Sequence, residues 1–410
     1  MILSAPYILP VDSPPILDGA IVIEGGRIVA KGGRGKIRED FPGHPVRNLP
    51  RHILMPGLVN CHAHLELSAL RGKIPVGQPF TEWLKQVVTL RSAWQSEDYR
   101  LSIGQGIAQL IAAGITCVAD ITATGLSLLL LEESGLRGIV FLEIIGFQHD
   151  LAQEKAGHLK SHLIRLSAQN GRFALGVAPH APYSVSPDLF RQLGKLLGGY
   201  KLSVHLAESR EEVNFLADGF GAFREFLKWR GVWDDAWQAP GCSPVNYLKN
   251  LHLLVPDALL VHLNYLDKAD YAVLLQSKIH LVTCPASNRR LGHSNLHLQT
   301  LYRNGVNVVL GTDSLASNDE LNLFREMRLL SYENPWLSFA EVIKIATLHG
   351  AKALGLEAET GSLTCGKYAD IIAIAAPDHL AQDRIEEYIV NEALNPELVL
   401  IDGKVAVGGL

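Results

Sequence analysis

Between residues 53 and 311 the chain repeats one pattern: a short unbroken run rich in Val, Ile and Leu, then a stretch with helical spacing. The runs fall at 53–59, 116–121, 137–145, 173–178, 202–206, 258–263, 279–283 and 306–311. Helical spacing marks 101–113, 151–167, 211–229 and 319–332. Strands that are apolar throughout, rather than on alternate residues, are buried on both faces, as in parallel β/α architectures. Eight of them over roughly 300 residues predict a (β/α)8 barrel of the TIM type. An open doubly wound sheet is the rival. It would carry Gly-x-Gly-x-x-Gly after its first strand, where this chain has Asn60-Cys61-His62-Ala63-His64.

The two ends read differently. Residues 20–24 and 27–30 flank Gly25-Gly26, and 398–401 and 404–407 flank Asp402-Gly403; both are hairpin signals. Neither end holds enough strands to close a core, so 1–55 and 356–410 are expected to combine into one small β-sandwich beside a barrel at 56–355. Residues 231–243 read as a loop inserted on the barrel.

Charge narrows the function. A net charge of −5 over 410 residues, with scattered Lys and Arg, gives no nucleic-acid surface. No apolar run approaches the ~20 residues that span a bilayer, and prolines interrupt an N-terminus that lacks a basic region. Five widely spaced cysteines form no Cys-x-x-Cys, which fits a reducing cytoplasm. The expected partner is a small-molecule substrate, and a homodimer is allowed.

Chemistry collects where function sits in a barrel, at the C-terminal strand ends. His62 and His64 follow the first strand, and residues two apart share a strand face. His205, His262 and Asp313 end later strands. Polar residues at so many strand ends are costly to explain as packing, because each would need its own partner. Three imidazoles and a carboxylate can hold a divalent ion and leave a position for water, whose pKa falls from ~15.7 to ~7. The fourth strand ends in Pro179-His180, with no lysine to be carboxylated as a bridge, so one metal is expected. Zinc suits the ligands best, with Fe2+ and Mn2+ as alternatives. Glu208, just past the strand end, is placed for proton transfer; otherwise it is a solvated residue at a helix start.

Residues 56–64, His205-x-x-Glu208, His262, residues 283–288, Gly311-Thr312-Asp313-Ser314-x-x-Ser317-Asn318 and residues 361–371 together resemble the amidohydrolase superfamily. The likeness is to its cytosine-deaminase-like and chlorohydrolase-like branch, which includes S-adenosylhomocysteine, guanine and aminodeoxyfutalosine deaminases, and it covers nearly the whole chain. The resemblance implies His62, His64, His205 and Asp313 as metal ligands. It implies Glu208 as proton shuttle, His262 as the group orienting the attacking water, and Asp313 as acceptor of that water's proton.

Substrate contacts are implied at His180, in the pocket position of purine-type deaminases, and at Trp83, as the aromatic wall of an active-site loop or as a core residue. Ser317 either faces the substrate or caps the helix near Asp319. Glu66 resembles the aminodeoxyfutalosine deaminases, and Arg289 and Arg290 either pair with that substrate's carboxylate or are solvated. The leading expectation is a deaminase of a purine-nucleoside-like substrate, 6-aminodeoxyfutalosine being the specific candidate. An amidase or chlorohydrolase on the same scaffold, and a non-catalytic binding barrel, are the alternatives.

Overall fold

The structure, a computed structural model, describes residues 1–168, 171–294 and 296–408. Eight parallel strands form the expected barrel: β1 (Leu58–Ala63), β2 (Ile115–Thr122), β3 (Arg137–Ile144), β4 (Phe173–Pro179), β5 (Lys201–Leu206), β6 (Leu259–His262), β7 (His280–Thr283) and β8 (Asn307–Leu310). They pair in sequence order, and helices run between most of them. The barrel is shut by its ends, because Thr312 and Asp313 donate their backbone N–H groups to the His62 carbonyl, each at 3.0 Å. Asn60 braces the seam: its Oδ1 accepts from the Thr312 and His62 amides, and its Nδ2 donates to Thr312 Oγ1. Only glycine fits at 311, where a Cβ would stand 2.7 Å from His62 Cβ.

The barrel interior packs Val59, Cys61, Cys117, Phe141, Val261 and Cys284 against the helix Leu348–Leu354. Three cysteines therefore serve as small apolar fillers, and burial pushes the Cys117 thiol up to about 12.

The terminal segments form one sheet, in the order Lys404–Val407, Leu398–Ile401, Ile371–Ala375, His52–Pro56, Ile2–Ile8, Ile16–Glu24, Arg27–Gly33, with Val46–Asn48 added on Ile2–Ile8. Its strands are continuously hydrogen-bonded rather than split into two layers. The sheet curls round a core that includes Leu3, Ile21, Ile28, Leu54, Ile371 and Leu400, and its far edge returns when Ile28 and Ala369 donate to the carbonyls of Lys367 and Gly26. A buried ion pair ties it to the barrel: Arg137, opening β3, donates to both Asp370 oxygens at 2.7 and 3.0 Å and also meets Asp402. The Tyr368 ring lies between the Arg27 and Arg137 guanidinium groups, each 4.0 Å from its centroid.

Two helical expectations change. The stretch 211–229 is two helices, Arg210–Asp218 and Ala222–Trp229, because Gly219 takes a left-handed conformation (φ 80°) that ends the first. The stretch 319–332 starts later, at Leu323, where Asn322 accepts the Phe324 N–H. Residues 231–243 are a loop, with Trp237 stacked on Phe215. Among the described residues no helix is long and apolar enough to cross a membrane.

Candidate active site

The C-terminal rim brings His62, His64, His205 and Asp313 together. The Nε2 atoms of the three histidines form a triangle with every side 3.2 Å, and Asp313 Oδ1 stands 3.8 Å from His62 Nε2 and 3.7 Å from His64 Nε2. A tetrahedral ion with metal–nitrogen bonds near 2.0–2.1 Å needs ligands roughly 3.3–3.4 Å apart, so the donor set fits one such ion.

The chain bends to make this set. Pairing of β1 with β2 slips after Asn60, and Asp313 has a positive φ of 56°. The two-residue spacing thus identifies the right histidine pair, but an irregular strand end, not strict alternation, aims it. His205 Nδ1 lies 2.8 Å from the His180 carbonyl and donates to it, leaving Nε2 bare for a metal. Burial is the main cause that holds His62 well below its ordinary value, His64 at about 3 and His205 at about 4, all neutral as ligands must be. Asp313 Oδ2 accepts from Ser287 Oγ (2.6 Å) and Ser317 Oγ (2.7 Å). Burial opposes its ionisation, but the facing His64 and His262 and these two hydroxyls hold it below the usual carboxylate range.

Glu208 lies beyond a turn at Ala207 (φ 50°), braced by the buried Glu212, whose carboxylate accepts from the Ala207 and Glu208 amides. Its own carboxyl is 3.6 Å from His262 Nε2 and 3.8 Å from His293 Nε2. Burial first, then the neighbouring Asp313 and Glu212 carboxyls, pushes it well above the ordinary range, which favours its protonated form. His262 Nδ1 faces Asn288 Oδ1 at 3.0 Å, which leaves its Nε2 as a proton acceptor; that atom is buried and makes no hydrogen bond among the described residues.

Above this floor opens a cavity of about 360 Å3. Trp83 and His180 both line it. Trp83 stands on a helix, Phe80–Arg91, rather than on a loop, stacks on Phe80 and donates to the Ala316 carbonyl. His180 Nδ1 pairs with Ser184 Oγ at 2.7 Å, and burial holds the ring down at about 4.

Four expected contacts lie elsewhere. The Glu66 carboxylate accepts from Thr122, Thr124 and the Ala123 amide and sits 3.8 Å from Arg91, so it braces a loop. Arg290 pairs with Asp319, and Arg289 lies over the Tyr332 ring at 5.9 Å, both away from the cavity. Ser317 neither caps a helix nor lines the cavity, because its hydroxyl is spent on Asp313. The cavity instead presents Arg91, Glu143, Lys155 and Arg230, none singled out in the sequence. Glu143 had a signal: it is the one charged residue in the apolar run 139–145.

A profile of the amidohydrolase family matches residues 53–406. The chain belongs to the amidohydrolase family. As an amidohydrolase it is a hydrolase acting on carbon–nitrogen bonds. It is 30% identical over 392 residues to the 5-methylthioadenosine/S-adenosylhomocysteine deaminase of Teredinibacter turnerae, covering 92% of this chain and 84% of that one. The amidohydrolase also superposes on a zinc-bound adenosine deaminase from Xanthomonas campestris (TM-score 0.81, 25% identity, 99% and 92% covered). Helicobacter pylori aminofutalosine deaminase, solved with methylthio-coformycin, shares the fold (TM-score 0.87, 24% identity, 98% and 99% covered).

Proposed function

We propose that the protein is a mononuclear metal-dependent deaminase of adenosine-like nucleosides, with zinc as the resident ion. The 3.2 Å triangle of neutral imidazole nitrogens facing Asp313 carries the metal reading, and Glu208, buried beside it with its carboxyl 3.6 Å from His262 Nε2, carries the proton-transfer reading. The deaminase named above, 30% identical to this chain, supports the reaction class. An ion held by His62, His64, His205 and Asp313 would supply a Lewis acid and make hydroxide available near neutral pH. His262 Nε2 then accepts a hydrogen bond from the attacking water and aims it. Glu208 donates to the ring nitrogen as the carbon–oxygen bond forms, recovers one proton from the water and passes it to the amine, which leaves as ammonia when the carbon–nitrogen bond breaks; the remaining hydroxyl proton returns to Glu208 as the product carbonyl forms. Asp313, fixed by Ser287 and Ser317, would help hold the ion and would relay the water's proton to Glu208. The unpaired cysteines suit a cytoplasmic enzyme.

Within this class 6-aminodeoxyfutalosine is the specific candidate. The support comes from the outer cavity, where Phe147, Leu151, Phe226 and Leu227 supply an apolar wall. Lys155 and Arg230 stand on the same wall and make no ion pair among the described residues, which suits a substituent ending in a carboxylate. Ammonia release by zinc-loaded protein from 6-aminodeoxyfutalosine, S-adenosylhomocysteine, 5′-methylthioadenosine and adenosine tests both levels. Release from none of them ends the deaminase reading. Faster turnover of 5′-methylthioadenosine than of the carboxylated nucleosides ends the specific one.

A further inference from the structure

Glu143, near the end of β3, stands in the cavity wall with its Oε1 buried and without a hydrogen-bond partner among the described residues. A buried acceptor left unpaired costs free energy, so in a ligand cavity it points to a donor supplied by the ligand. One carboxylate oxygen lies within 4.8 Å of a ring nitrogen of His180 and of His205, which sets Glu143 beside the floor of the cavity. It is no second metal site with those two rings. His205 already turns Nε2 toward His62 and His64 and donates Nδ1 to the His180 carbonyl, and the remaining pair is too few to hold an ion.

We propose that Glu143 accepts hydrogen bonds from the sugar hydroxyls of the substrate and so selects nucleosides over free bases. The inference rests on the deaminase reading above. In a 5′-substituted adenosine whose amine is turned to the ion, the other good donors are the 2′- and 3′-hydroxyls, and one carboxylate has two oxygens to take both. A free purine base has neither hydroxyl and would leave Oε1 as it is.

The test pairs enzyme and substrate changes. Wild-type and Glu143→Gln protein, both zinc-loaded, are assayed with adenosine, 2′-deoxyadenosine and 3′-deoxyadenosine. Removing the hydroxyl that Glu143 holds should lower wild-type kcat/KM by roughly 10- to 150-fold, the scale of a charge-assisted hydrogen bond. Glu143→Gln should cost adenosine a similar factor, mainly in KM, and cost the affected deoxynucleoside no more than about threefold. Equal losses on all three substrates, or an adenosine kcat/KM within twofold of wild type, would overturn the contact. Calorimetric binding of coformycin against 2′-deoxycoformycin reads the contact without turnover. If no nucleoside is deaminated but coformycin binding still falls with Glu143→Gln, the catalytic reading fails and the contact stands. If deamination proceeds and neither ligand pair separates wild type from variant, the contact alone fails.

Discussion

At the scale of single residues the site divides into groups that touch the reaction and groups that hold them. Glu208→Gln keeps the size of the side chain and every brace around it, so bound zinc should stay at one per chain by elemental analysis. Turnover should fall by roughly 10²–10⁴, the usual worth of a general acid/base. Ser317 belongs to the second kind. Ser317→Ala removes one of two hydroxyls on Asp313 Oδ2 and should weaken zinc affinity by roughly 10- to 100-fold in a chelator competition titration, as losing a ligand's outer hydrogen bond does. The side chains gathered at the site were legible because strand ends are where a barrel exposes side chains, and His62, His205, His262 and Asp313 each close an apolar run. The cavity wall was not. Glu66 and Glu143 are both glutamates near strand ends. Whether each turns to a loop or to the cavity is decided by Thr122 and Thr124, which saturate the first and reach nothing of the second. Such choices are made by tertiary contacts that spacing does not encode.

At the scale of elements seven of the eight continuous apolar runs gave barrel strands to within about a residue, since burial on both faces leaves no other use for them. The run 53–59 instead spans two strands, His52–Pro56 of the terminal sheet and Leu58–Ala63 of the barrel. Helix ends were less legible. The hydrophobic spacing of 211–229 continues through Gly219-Phe220-Gly221, and only the left-handed glycine divides it. Trp83 likewise sits on a helix whose start follows Pro79 rather than a polar cap. The fit of β8 against β1 gives a prediction at this scale. Gly311→Ala sets a Cβ 2.7 Å from His62 Cβ and should destabilise the fold by roughly 1–3 kcal/mol, the usual penalty of overpacking. Because the clash bears on a ligand, the melting temperature of this variant should gain less from added zinc than that of wild type.

Across the whole molecule the terminal sheet was legible as a joining of the two ends, but its fastening to the barrel was not, because Arg137 and Asp370 read as ordinary charges in separate segments. Asp370→Asn leaves the Arg137 charge buried with only Asp402 facing it. Chemical denaturation should register a loss toward the low end of the roughly 3–5 kcal/mol that breaking a buried pair costs. Arg137→Met combined with Asp370→Leu should recover much of it. Neither change touches the cavity, so the folded fraction should keep wild-type kcat.

The barrel seam sets an order of events in the life of the chain. His62 leaves the ribosome early, yet the amides its carbonyl accepts, and the carboxylate facing its ring, belong to residues 312 and 313. Every residue between them must be made before the fourth ligand exists, and contacts so distant in sequence form late because the intervening chain must first be ordered. An ion held by these four residues, as proposed, would therefore complete its ligand set only in a finished barrel rather than in a growing one.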